Sequence, residues 1–220
     1  MSVPTWDGVT TSSAFQEAEL STRNILADAA KIYDWERVLT ILGKRQDLVN
    51  ATRPHGQSHY TVLHQAAHGG APAEVVQQLI AIGAWRTLRT SQAERAVDIA
   101  LRQGHMELLP LLTPVLAREI VPTILQAIQD HFHAVIWARL AERNLAVDMR
   151  LPELEPLLEL ERPTMWFPVP GMYGGFSYEL SAVAGSPALI SESWSRVVGG
   201  SGQRHLVSPH GSVLLDEGFV

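Results

Sequence analysis

The stretch Thr61-Val62-Leu63-His64-Gln65-Ala66-Ala67 decides the fold predicted for this chain. Its leucine and alanine pair recur at helical spacing, and small alanine side chains let a neighbouring helix pack closely. Gly70 then ends the helix. A second apolar run follows up to Gly83, which suits the left-handed cap that closes a helix. Residues 61–84 therefore contain two apolar segments, each followed by a glycine.

The same pattern is present on both sides of this segment. Residues 95–109 repeat it, beginning 34 residues after Thr61, with Gly104-His105-Met106-Glu107 at the turn. Residues from 22 onward repeat it more loosely, with Asp34-Trp35-Glu36-Arg37 at the start of the second apolar segment. The step from Asn24 to Thr61 is 37 residues, which predicts a longer loop over residues 53–60.

These segments resemble the ankyrin repeat, a helix-hairpin module of about 33 residues that opens with the motif T-x-L-H. The resemblance covers residues 22–143 and is closest in the second and third repeats. It implies that Thr61 caps the first helix and that His64 bonds to this cap and to the neighbouring loop. The chain is therefore predicted to be mainly α. A short ankyrin-type solenoid of three to four hairpins should occupy residues 22–150, after a lead-in at 1–21.

A fourth hairpin is predicted from Val121 to Arg143. Pro122 suits the first turn of a helix. An apolar stripe follows at Leu125, Ile128, Val135 and Ile136. The segment lacks the T-x-L-H opening, so it is interpreted as a capping repeat.

The composition changes after Leu151, where prolines and glycines replace the helical pattern. Four short strands are predicted between turns: Phe176–Val183, Ala188–Val198, Arg204–Ser208 and Val213–Phe219. Residues 151–220 should therefore form a small antiparallel β domain, which makes the chain α+β overall. Several segments, among them Met165–Phe176, resemble a C-terminal extension of some bacterial ankyrin-repeat proteins. That resemblance implies no particular activity.

Composition excludes several classes of function. The chain has no cysteine, so disulfides and thiolate chemistry are ruled out. Its formal net charge is −6, so it lacks the overall positive field that holds nucleic acid. No apolar run of about 18 residues is present, and no basic segment followed by an apolar run opens the chain. These observations predict a cytoplasmic, soluble protein without nucleic-acid or membrane partners.

The ankyrin resemblance implies binding to another protein, because partners of such arrays usually contact the loops and the exposed side of each first helix. Carried over to this sequence, that surface comprises His59, Tyr60, Gln65, His68, Trp85, Arg89 and Arg102. The predicted function is a non-enzymatic protein-interaction module. A narrower version is an immunity or antitoxin-like protein, since a small acidic binder suits a basic enzyme that must be masked.

Trp85 is the most informative of these positions, because ankyrin repeats commonly have an aspartate there. An exposed tryptophan is a typical interface anchor. Alternatively, Trp85 packs against the loop 53–60. The sequence leaves these two alternatives open.

No metal, cofactor or catalytic residue is predicted. His131 and His133 form the densest histidine cluster, but side chains two residues apart diverge on a helix. Gly199–Gly202 lacks the Lys-Ser/Thr and the helix that complete a phosphate loop. Ser201, His205 and Asp216 have the residue types of a catalytic triad, but the G-x-S-x-G elbow that would support this assignment is missing.

The alternative function is an enzyme or small-ligand binder with a pocket in the C-terminal β domain. Alternation along strand 188–198 places its even-numbered residues on one face. This face carries Glu192, Trp194 and Arg196, and three residues from neighbouring segments are expected to join them across the sheet. The predicted pocket therefore comprises Tyr173, Glu192, Trp194, Arg196, Arg204 and His205. The favoured interpretation is that these residues close a small core, since buried polar residues in small domains usually satisfy each other. A third possibility is a homodimer formed through an exposed sheet edge.

Overall fold

The computed structural model describes residues 3–142, 145, 148–196 and 201–218. Within these residues the chain is α+β, with eight α-helices and one five-stranded antiparallel sheet. It divides into a helical unit, residues 10–115, and a C-terminal unit formed by residues 1–9 and 116–220. These boundaries differ from the predicted ones, because residues 3–9 and the helix after residue 121 both belong to the C-terminal unit.

Six α-helices form the helical unit in three consecutive pairs. The pairs are α1 (Glu17–Lys31) with α2 (Trp35–Lys44), α3 (Val62–Gly69) with α4 (Ala73–Ile82), and α5 (Ala96–Gln103) with α6 (Leu109–Leu112). The first helices α1, α3 and α5 pack side by side, while α2, α4 and α6 follow one another in a second row. The predicted lead-in is shorter than expected, because α1 begins at Glu17.

The start of α3 shows the bonds that the resemblance implied. The backbone N–H of Thr61 donates to Nδ1 of His64 at 3.1 Å. This nitrogen must therefore be the acceptor, so the opposite nitrogen Nε2 carries the hydrogen and donates to the carbonyl of Leu88 at 3.1 Å. His64 is buried and ties its own helix to the loop before α5.

Glycines in the left-handed conformation end three helices. The φ angles are +61° at Gly70, +112° at Gly83 and +84° at Gly104. This confirms the predicted role of Gly70 and Gly83. At Gly70 the backbone is also crowded, since a Cβ there would lie 2.5 Å from the ring of His105. Only glycine fits both constraints.

The core of the helical unit lies between the two rows of helices. Leu63, Ala66 and Ala67 of α3 are fully buried, as the spacing predicted. They pack in one cluster with apolar residues of the other helices, including Leu42, Val76 and Ile99. Buried alanines on the first helices, such as Ala66, Ala67 and Ala100, allow close packing between neighbouring pairs.

The C-terminal unit contains the sheet, whose strands are neighbours in sequence order. They are β1 (Thr164–Val169), β2 (Gly174–Val183), β3 (Ser186–Ser195), β4 (Ser201–Ser208) and β5 (Gly211–Glu217). The predicted strands correspond to β2–β5 with shifted ends. β1 was missed because Pro163 and Pro168 flank and interrupt its pattern. A proline is tolerated at the edge of a sheet, where an N–H is not needed by a second neighbour.

Residues 3–9 are not a loose lead-in but part of the C-terminal unit. Trp166 in β1 donates its N–H to the carbonyl of Pro4 at 2.9 Å and accepts the N–H of Trp6 at 2.7 Å. The Trp6 ring is 1% exposed, and its Nε1 donates to the carbonyl of Arg150 at 2.9 Å. The beginning of the described chain therefore covers the β1 edge of the sheet.

The predicted fourth hairpin is wrong, because residues Pro122–Glu142 form one continuous helix, α7. No glycine or proline interrupts residues 123–142, so nothing in the sequence turns the chain. Phe132 packs at ring-centroid distances of 5.0 Å from Tyr178 and 6.3 Å from Phe176. The apolar stripe of α7 thus packs on the sheet. A short helix α8 (Pro156–Glu159) follows before β1.

Candidate functional site

A cavity of about 200 Å³ lies in the helical unit between α1, α3 and the loop that joins α2 to α3. One face of α1 lines it at helical spacing: Arg23, Leu26, Ala27, Ala30 and Lys31. The loop and the start of α3 form the opposite wall, including Ala51, Arg53, Tyr60 and Gln65. The loop is the one that the 37-residue spacing predicted to be long.

The charged side chains lining the cavity are all cationic. Arg23 pairs with Glu19 at 2.8 Å and stacks on the Phe15 ring at 4.4 Å. Arg53 pairs with Asp28. Lys31 is exposed, and among the described residues it has no ion-pair partner. Lys31 therefore supplies the most available positive charge at this cavity.

The ion pair of Arg23 belongs to a small network beside the cavity. The Arg45 guanidinium donates to Glu19 at 2.7 Å and, together with Arg23, lowers the pKa of that carboxyl. The carboxylate therefore stays ionised and holds Arg23 in place. Arg45 also pairs with Asp47 at 2.6 Å, so this network of two arginines and two carboxylates is neutral, and the net positive charge of the cavity wall comes from Lys31.

An aromatic cluster lies next to the cavity. The Tyr60 ring is 5.7 Å from that of His64 and 6.3 Å from that of His68. The hydroxyl of Tyr33 bonds to Nδ1 of His68 at 2.8 Å. Tyr33 has φ +62° and lies against Gly69, where a Cβ would be 2.4 Å from its ring. These contacts hold partly exposed aromatic groups in fixed positions.

Arg102 extends this surface onto α5. Its guanidinium pairs with Glu94 at 2.8 Å. This carboxylate, and to a smaller extent the Tyr60 hydroxyl, raises the pKa of Arg102. The structure therefore brings Tyr60, Gln65, His68 and Arg102 of the predicted partner surface together. We call these four residues and Tyr33 the first-helix surface.

The remaining three predicted partner residues, His59, Trp85 and Arg89, are not part of the first-helix surface. His59 is half-buried with φ +54°, and Arg89 donates to the carbonyl of Ala93 at 2.9 Å. Trp85 is only 8% exposed, so it does not present the exposed anchor that was one of its two alternatives. Its backbone N–H donates to Oδ1 of Asn50 at 2.9 Å, and Nδ2 of Asn50 donates to the carbonyl of Gly83. The residue is part of the turn after α4.

The predicted C-terminal pocket is divided between the two faces of the sheet. Glu192 and Trp194 share the outer face, where Trp194 stacks on Trp166 at 5.5 Å. Arg204 pairs with Glu192 at 3.2 Å, and Arg196 lies 5.1 Å from the Trp194 ring. These four residues of the predicted pocket therefore form an exposed surface in which the charged side chains are already paired. Val198, expected on the same face, lies outside the described residues.

His205 and Tyr173 do not join that surface. His205 follows Arg204 on β4, so its side chain lies on the opposite, inner face of the sheet. Burial lowers the pKa of its imidazole, which favours the neutral form. Tyr173 is exposed in the turn between β1 and β2. One-residue differences along a strand reverse the face, which explains the error.

The inner face carries a polar row that sequence reasoning missed. Ser191 and Ser193 are 1% and 2% exposed, and their hydroxyls have no hydrogen-bond partner among the described residues. Ser191 pairs across the sheet with His205, and Ser193 with Gln203. Arg139 of α7, 3% exposed, donates to the hydroxyl of Ser201 at 2.7 Å. The repeat Ser-x-Ser-x-Ser at 191–195 was the available signal.

Within the described part of the chain, no cluster of three acidic or histidine side chains suitable for a metal ion is found. Over the same residues, none of the helices is long and apolar enough to cross a bilayer.

The geometry defines the class as an α+β protein with a unit of stacked helix pairs and a unit built on a meander sheet. No protein-family model and no curated protein matches the chain. One similar solved structure is a predatory endopeptidase from Bdellovibrio bacteriovorus in complex with an immunity protein. That match has 23% identity and a TM-score of 0.34 and covers 40% of this chain. It spans 43% of the solved chain, less than half of its length.

Proposed function

We propose that the protein is a non-enzymatic protein-interaction module whose helical unit is an ankyrin-type array. The observation that carries this proposal is the first-helix surface, where Tyr33, Tyr60 and His68 are fixed beside a cavity. Aromatic and arginine side chains in preorganised positions lose little conformational entropy on binding, and they commonly dominate interface energetics.

The ankyrin assignment draws on three features of the helical unit. The first is the pairing of Thr61 and His64 with the carbonyl of Leu88. The second is the left-handed glycine after each of α3, α4 and α5. The third is the arrangement of alternate helices in two rows. Together they support a repeat array with three pairs, without the fourth that the sequence predicted.

The narrower proposal is an immunity or antitoxin-like role against a basic enzyme. Residues 10–115 contain ten basic and ten acidic residues, whereas the C-terminal unit contains seven basic and thirteen acidic residues. The entire net charge therefore belongs to the C-terminal unit. A basic partner would be steered by that unit and recognised by the first-helix surface.

The experiment is affinity capture with the tagged full chain, followed by a binding assay with the purified partner. Tyr60→Ala, combined with His68→Ala, should weaken binding at least tenfold, because anchor truncation typically costs about 2 kcal/mol or more. Tyr173→Ala removes an equally large, exposed ring from the C-terminal unit and should leave affinity unchanged. Equal affinities of the two variants, with both folded by circular dichroism, would overturn the proposal.

A second candidate is a small-ligand site on the inner face of the sheet. The buried hydroxyls of Ser191 and Ser193 favour it, because a buried polar group without a partner is costly. A ligand bound there would raise the melting temperature of the wild-type chain. The same ligand should have no effect on a Ser191→Ala, Ser193→Ala variant that retains the fold.

A further inference from the structure

We propose that the cavity between α1 and α3 is a specificity pocket for an acidic segment of the partner protein. One apolar side chain of that segment fills the cavity, and a neighbouring carboxylate pairs with Lys31. This inference rests on the proposed function and adds to it the chemistry of what is bound.

The floor of the cavity is formed by apolar side chains. Leu26, Ala27 and Ala30 contribute from α1, Ala51 from the loop and Val62 from α3. An apolar hollow of about 150 Å³ is large enough to bind benzene, so one of about 200 Å³ has room for an aliphatic side chain. Burying such a side chain contributes the non-directional part of the affinity.

The wall is held rigid by backbone hydrogen bonds of the loop. Gly56 N–H donates to the carbonyl of Arg53 at 2.9 Å, and His55 N–H donates to that of Thr10 at 2.7 Å. Ser91 N–H donates to the carbonyl of Ser58 at 3.0 Å. The additional loop residues are therefore fixed at both ends, and the cavity is formed before a partner binds.

Charge selects the occupant. Arg23, Lys31 and Arg53 line the cavity, and no carboxylate side chain does. Two of these cations already have carboxylate partners, which leaves the Lys31 ammonium for an incoming anion. Since Glu19 neutralises Arg23 and Asp28 neutralises Arg53, the remaining charge at this wall is the positive charge of Lys31. A segment with aspartate or glutamate beside an aliphatic residue complements it.

Matched substitutions separate the two parts of the proposal. Lys31→Glu reverses the charge at the cavity, and Lys44→Glu makes the same change in the last turn of α2, away from it. Ala27→Leu fills the cavity from α1, whereas Ala81→Leu adds the same side chain on the exposed side of α4. The two lysine variants reverse the same charge. The two alanine variants introduce the same leucine, and both alanine and leucine are good helix formers.

The probes are three blocked pentapeptides titrated into the isotopically labelled full chain: Ala-Glu-Leu-Glu-Ala, Ala-Gln-Leu-Gln-Ala and Ala-Glu-Ala-Glu-Ala. The first should bind about threefold tighter than the glutamine peptide, as expected for an exposed ion pair. It should bind about tenfold tighter than the alanine peptide because of the buried leucine. Shifts of the Gln65 and Ala30 amides should report the binding.

Lys31→Glu should abolish the preference for glutamate over glutamine, and Ala27→Leu should abolish the preference for leucine over alanine. The two control variants should keep both preferences. Equal Kd values of the three peptides for the wild type would overturn the pocket. If a purified partner is still lost on Tyr60→Ala in that case, the proposed function stands without it. If the peptides discriminate but no partner is captured, the pocket stands and the proposed function fails.

Discussion

Gly43 lies within α2 and Gly70 directly follows α3, and their surroundings impose opposite constraints. Gly70 has φ +61°, and a Cβ there would meet the ring of His105. Gly43 is in α2, exposed, with no heavy atom within 4 Å of a built Cβ. The difference follows from position within the hairpin and not from residue type.

Alanine at these two positions should therefore change stability in opposite directions. Gly70→Ala should lower the free energy of unfolding by more than about 1 kcal/mol, because it strains the backbone and crowds His105. Gly43→Ala should raise it by about 0.5–1 kcal/mol, since alanine is favoured inside a helix. Urea denaturation of both variants measures this. Destabilisation by both, to the same extent, would contradict the assigned C-cap.

Burial of His133 should make stability depend on pH. Burial lowers the pKa of its imidazole, and Nε2 bonds to the carbonyl of Pro152 at 2.8 Å. The unfolded chain, with an ordinary pKa of about 6.5, therefore binds more protons than the fold. Its contribution is complete above about pH 6.5 and is lost as the pH falls toward the folded pKa.

The measurement is the melting temperature of the wild type and of His133→Gln from about pH 7.5 to about pH 5. Glutamine can donate to the same carbonyl but does not titrate, so the variant should lose less stability on acidification. His210→Gln, at an exposed position, should follow the wild-type curve. Parallel curves for all three proteins would show that His133 is protonated equally in both states.

At the scale of secondary-structure elements, α7 is a single helix where two helices were predicted. Its apolar residues recur at helical spacing, which predicts a helix but does not say how many. The hairpin was inferred by extending the repeat pattern beyond the residues that carry it. The observed helix runs through 130–134, the place where a hairpin would need a turn.

Ala134→Pro distinguishes the two arrangements. Ala134 is exposed in the middle of α7, so no core contact is lost directly. In a continuous helix, proline should cost about 3 kcal/mol through the missing N–H and the clash with the preceding turn. Ala134→Gly should cost about 1 kcal/mol. Chemical denaturation provides the values, and a proline variant as stable as the glycine variant would support a turn at this position.

At the scale of the whole molecule, sequence order and structural unit do not coincide. The beginning of the described chain pairs with β1, although about 160 residues separate Thr5 from Trp166 in sequence. Gly8 makes this possible, because a Cβ there would lie 2.5 Å from the carbonyl of Arg150. The C-terminal unit is therefore discontinuous.

Trp6→Ala should destabilise the C-terminal unit by about 3–5 kcal/mol, as expected for removal of a buried aromatic side chain. Hydrogen exchange should become faster at the amides of β1 and β2. Trp137→Ala is the matched control, because that ring is 48% exposed on α7. If protection of β1 is unchanged in Trp6→Ala, residues 3–9 do not stabilise the sheet.

The sequence by itself determined the short-range features. Thr61 and His64, the glycines after the helices and the turns that separate β2–β5 are set by interactions among near neighbours, which leave a pattern in composition and spacing. The long loop over 53–60 was also predicted. Its consequence, a cavity lined by cations, was not.

Only the tertiary structure decided which residues meet. It placed Trp85 in the interior, His205 and Glu192 on opposite faces of the sheet, and residues 3–9 beside β1. These outcomes depend on strand register, helix length and long-range pairing, for which packing of the whole unit supplies the free energy. Contacts between residues distant in sequence leave no local sequence pattern from which they could be predicted.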